Sequence, residues 1–61
     1  MMDDRQLESG QRYRLQDGSI IELDRRVPGD ATQWYVYDIE GNKTLAYDRT
    51  IEPGDIREEE D

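Results

Sequence analysis

The chain has no cysteine and no histidine among its 61 residues. The first absence removes disulfide frameworks and thiolate metal sites. The second removes the commonest general base and the commonest metal ligand. Phenylalanine is missing too, so the aromatic content is one Trp and four Tyr. No apolar run exceeds Trp34–Tyr37, far short of the roughly 20 residues of a membrane helix. The opening MMDDRQ lacks both the basic and the apolar parts of a signal peptide. A soluble, cytoplasmic chain without membrane contact is expected. It is long enough for one domain only, near the lower limit for folding without disulfides, metals or partners.

What the chain has in excess is negative charge. Sixteen acidic residues against eight basic ones leave −8. The second half carries most of it, closing on Glu58-Glu59-Glu60-Asp61. Such a field repels nucleic acid and anionic membranes and attracts basic protein surfaces. It also keeps a small protein soluble, which by itself accounts for many acidic surfaces.

Apolar residues alternate in short runs separated by Gly and Pro, the pattern of strands and turns. Strands are expected over 11–16, 19–26, 32–39, 43–50 and 55–58. They form a domain over 11–58, after an N-terminal arm (1–10) that has room for one helical turn and before an acidic tail (59–61). Residues 1–6 and 58–61 are expected to fray. In RYRLQDGSIIEL, a three-residue Gln16-Asp17-Gly18 loop places Tyr13 opposite Ile21 and Arg12 opposite Glu22, keeping the apolar set on one face. Pro28-Gly29 has the chemistry of a type II turn. In QWYVYDIEGNKTLAYDR, alternation puts Tyr35, Tyr37 and Ile39 on one face and Trp34, Val36 and Asp38 on the other. A three-residue Glu40-Gly41-Asn42 loop brings Leu45 and Tyr47 to the tyrosine face, whereas a two-residue Gly41-Asn42 turn would put Leu45 opposite Asp38. The tyrosine face is the expected core, leaving Trp34 beside Val36 and Ala46 on the second face.

Two segments carry a resemblance. LQDGSIIELDRR, an Asp-Gly bend into a long second strand, looks like the start of an Sm-like barrel. YDRTIEPGDIRE resembles the tight turn and short last strand of SH3-like barrels. The resemblance implies an all-β, five-stranded antiparallel small barrel and no particular chemistry. The Sm glycine of strand two is absent, replaced by Glu22-Leu23-Asp24.

Carboxylate pairs are the only enzymatic option in this inventory. Asp38 with Glu40, and Glu22 with Asp24, are two residues apart on a strand, about 6–7 Å. A barrel this small leaves little room for a substrate between them, so no catalytic residue is assigned. Asp38-Ile-Glu40-Gly41-Asn42 places its glycine too early for a calcium loop, and no metal or cofactor is assigned. The acids themselves are the first candidate surface: Asp38, Glu40, Asp48, Glu52, Asp55, Glu58, Glu59 and Glu60, with Trp34 as an aromatic anchor. Displayed at strand spacing, they imitate phosphates and suit a basic partner, such as a nucleic-acid-binding complex. In size and charge the chain is similar to small acidic phage and plasmid inhibitors, the anti-CRISPR and anti-restriction DNA mimics. The alternatives are a nucleic-acid face of Arg12, Arg14, Arg26 and Trp34, opposed by the net charge, and a homodimer through Trp34-Val36-Ala46.

Overall fold

The computed structural model describes residues 7–60, with side chains throughout except at 45–48. Five strands, β1 (Arg12–Leu15), β2 (Ile20–Val27), β3 (Asp30–Glu40), β4 (Lys43–Ile51) and β5 (Ile56–Glu60), form one antiparallel sheet. Its order is β4-β3-β2-β1-β5, and a 3₁₀ turn over Pro53–Asp55 joins β4 to β5. The fold is all-β, one open sheet without an α-helix among the described residues. None of them forms a helix long and apolar enough to cross a membrane.

The first two turns follow their residue chemistry. Gly18 takes φ +91°, and the pairs Arg12↔Glu22 and Tyr13↔Ile21 match the three-residue loop. Asp17 Oδ1 braces that loop by accepting from the Ser19 amide (2.9 Å) and hydroxyl (2.6 Å). At the second turn Gly29 takes φ +83° and Val27 pairs with Asp30.

The third turn corrects the expected register. Glu40 pairs with Lys43, so the β3–β4 loop is the two-residue Gly41-Asn42. Only Gly41 has positive φ (+64°), the arrangement of a type II′ turn. β4 then carries two bulges, one residue each, between Thr44 and Tyr47 and between Tyr47 and Arg49. Together they advance β4 by two residues and set Ile51 opposite Trp34. Without them Arg49 would stand there.

The core face is correspondingly the reverse of the expected one. Trp34 and Val36 are buried, whereas Tyr35 and Tyr37 are half-exposed. Leu23↔Val36 ties the even positions of β3 to the face that already holds Tyr13, Leu15 and Ile21. Ile51, Ile56 and Leu7 complete this cluster. Ile39 is buried as expected, but on the opposite side, paired with Ile20. Tyrosine tolerates such a half-exposed position because its ring is apolar and its hydroxyl is polar. The expected contributions of Leu45, Ala46 and Tyr47 fall on side chains outside those described.

The C-terminal end is also more structured than its composition implies. β5 continues to Glu60, taking in residues assigned to the tail, and Arg12 and Arg14 opposite provide the counter-charges. At the other end Leu7 enters the core, and the Glu8 amide donates to the Tyr13 hydroxyl at 3.0 Å. Of the helical turn expected over Asp3–Glu8, Leu7 and Glu8 are not helical, and residues 1–6, like Asp61, lie outside the described span.

Candidate functional site

The arginines anticipated on one nucleic-acid face are divided between the two sides of the sheet. β2 has one extra residue between Leu23 and Arg26. This moves Arg26 to the core side, opposite Trp34, with its guanidinium 4.6 Å from the indole centroid. Arg12 and Arg14 remain on the outer side. Arg12 lies 3.7 Å from Glu22, and Arg14 makes a bidentate pair with Glu60 at 3.1 and 3.2 Å. That bonding holds the Arg14 guanidinium above its ordinary pKa. Trp34 is only 8% exposed and covered by Arg26, so it is a core residue and not a surface anchor.

The acidic candidates separate into engaged and outward groups. Asp38 Oδ1 accepts from Arg49 Nη2 at 2.6 Å, and Glu60 is held by Arg14. Glu52 accepts from Gln33 Nε2 (2.8 Å), while Asp55 Oδ2 accepts the Glu52 amide (2.9 Å) and so stabilises the 3₁₀ turn. Glu40, Glu58 and Glu59 are exposed. The Asp48 side chain falls outside those described. No charged residue is buried among the described ones, so each of these carboxylates contributes to the surface field. The pairs considered for catalysis are each tied to an arginine, Asp38 to Arg49 and Glu22 to Arg12.

Arg49 is the residue the sequence reading overlooked. By its pairing with Val36 it lies on the core side of β4. Its Nη2 also donates to Ser19 Oγ (2.9 Å), and its Nη1 lies 3.9 Å from Asp17 Oδ2. It therefore joins β4 to β3 and to the β1–β2 loop. The one available signal was its two-residue spacing from Ile51, an apolar residue at the end of the same strand. Beside it, a cavity of about 270 Å³ opens between the end of β1 and the end of β4. Leu15 and Ile51 give it an apolar floor, and Gln16, Asp17, Thr50 and Asp55 give it a polar rim.

The Ser19 bonds, helped by Arg49, hold the Asp17 carboxyl below the usual carboxylate range. Because the folded value lies below the unfolded one, the stabilisation is complete above an ordinary pKa of about 4. It fades as the pH falls through the folded value. Ser19→Ala is expected to raise the Asp17 pKa toward the ordinary range in an NMR titration. An unchanged titration would remove Ser19 as the cause.

Comparison with protein-family models, curated proteins and solved structures finds no match for this chain.

Proposed function

We propose that the protein is a non-enzymatic acidic binding module that docks on a basic protein surface and competes there with nucleic-acid phosphates. One observation carries this reading: five of the eight basic residues are engaged by partners within the fold, while surplus carboxylates remain outside. Arg12, Arg14 and Arg49 lie against Glu22, Glu60 and Asp38. Arg25 and Arg26 cover Tyr35 and Trp34. Glu40, Glu58 and Glu59 face solvent in a chain of net charge −8. A nucleic-acid-binding enzyme of the cytoplasm is the class of partner this field suits, and the chain acts as its inhibitor. Association is fast and strongly weakened by salt.

We also infer that the sheet bends into an SH3-like or Sm-like small barrel. The strand order and the 3₁₀ turn support this. So does the bond from the Gln16 amide to the Asp55 carbonyl (2.8 Å), which ties the turn to the β1–β2 loop.

Two measurements test the function. Immobilised protein should retain a nucleic-acid-binding protein from a lysate, released by salt and by added DNA. Glu40→Gln with Glu58→Gln and Glu59→Gln should weaken that retention about tenfold or more. In mobility-shift assays the free protein should leave DNA and RNA unshifted. A salt-sensitive shift abolished by Arg12→Glu with Arg14→Glu would establish the nucleic-acid face instead.

A further inference from the structure

We propose that the outer edge of β4, over Arg49–Ile51, is a strand-addition site for an extended, basic segment of the partner. The inference rests on the basic-partner reading and specifies where and how that partner is held.

β4 pairs with β3 alone, so alternate residues direct their N–H and C=O groups away from the sheet. The cavity at this edge is lined by three consecutive residues, Arg49, Thr50 and Ile51. Consecutive strand residues point to opposite faces. Arg49 and Ile51 reach it from the core side, and Thr50 between them carries its border to the strand edge. Its far wall is Leu15 to Asp17, and the Arg49 side chain spans the space to Asp17 and Ser19, so an added chain would run along the outer side of β4. The opposite edge of the sheet differs. β5 has a bulge at Arg57, a device that discourages regular edge pairing.

Charge determines which extended chain fits. The Arg49 guanidinium at this edge is drawn to Asp38 and Ser19. Asp17 and Asp55 remain exposed on the rim, with Glu52 beside them. A lysine or arginine can lay its aliphatic stem on Leu15 and Ile51 and set its charge near those carboxylates. A second copy of this acidic chain would bring further negative charge to the same place, which disfavours self-pairing.

The test uses the intact protein and a blocked octapeptide alternating valine and lysine. Binding should slow amide exchange within Arg49–Ile51 at the alternate amides that face away from β3. N-methylation of the peptide nitrogens that face β4 should weaken it about tenfold for each hydrogen bond removed. Equal binding of the methylated peptide, with both complexes weakened by salt, would overturn strand addition while leaving the basic-partner reading intact. Absence of binding at millimolar peptide, or protection confined to β5, would also overturn strand addition. A valine–glutamate peptide binding as well as the lysine one would sink both readings. Sedimentation showing a dimer of the free protein that protects these amides would make a second copy the occupant and refute the proposal.

Discussion

Trp34→Ala is expected to unfold the protein at 25 °C, whereas Tyr35→Ala, one residue away, leaves it folded. The two side chains have similar bulk and lie on opposite faces of β3. Trp34 is 8% exposed, within the cluster that contains Leu23, Val36 and Ile51. Removing a buried aromatic of this size costs about 3–5 kcal/mol. A core in a chain this short supplies about 3–5 kcal/mol in all. The loss therefore equals the whole margin, before counting the Arg26 guanidinium stacked on the indole. Tyr35 is half-exposed, with Arg25 5.2 Å from its ring centroid. Its replacement forfeits partial packing and an exposed cation–π contact, about 1 kcal/mol. Urea melts followed by circular dichroism separate the outcomes, with Trp34 fluorescence as a second probe in Tyr35→Ala. A Trp34→Ala protein melting cooperatively within 1 kcal/mol of its parent would place the indole outside the core. The assignment of the inner face would fail with it.

The reversal of that face shows which parts of the fold were readable in the residues. Turn chemistry is local: Gly18 and Gly29 take positive φ where the flanking residues predict it, and the first hairpin has the expected register. Alternation also located all five strands, within two residues at each end. What alternation does not contain is the count of bulges. Each of the two in β4 inserts a residue without a Gly or Pro to mark it. Their purpose becomes visible only across the sheet, where Ile51 meets Trp34. The bulge in β2 has the same character. Parity places Arg26 with Arg12 and Arg14, and one extra residue sends it to the opposite side. The tyrosines misled for a different reason. Three odd positions, Tyr35, Tyr37 and Ile39, outnumber Trp34 and Val36, but a tyrosine can be half-wet at little cost. Among the acidic candidates, exposure of Glu40, Glu58 and Glu59 was legible from composition. The capture of Asp38 by Arg49 was not, because eleven residues and two bulges separate them.

The second large effect is expected at the other end of the sheet, where Ile56→Ala should release β5 and unfold the chain. β5 is attached to β1 by its ladder, by one apolar side chain and by ion pairing. Ile56 is fully buried at the start of the strand, opposite Leu15, and the residues after it are polar. The Arg14–Glu60 bridge is good in geometry, yet both side chains are about 30% exposed. Exposed pairs of this kind contribute about 0–1 kcal/mol. Truncating a buried isoleucine to alanine costs about 2–5 kcal/mol. The apolar contact therefore decides whether β5 stays. Losing β5 also uncovers Tyr13 and Leu15 along β1, so the effect spreads through the core and ends in global unfolding. Ile56→Val, which removes one methylene, should cost about 0.5–1.5 kcal/mol and remain folded. Arg14→Ala should stay within about 1 kcal/mol of the parent, and more closely still at high salt. Denaturant melts of the three variants, with amide exchange read along β1 and β5, distinguish the contributions. If Arg14→Ala proved more damaging than Ile56→Ala, the strand would be held by charge, and its stability would fall steeply with ionic strength.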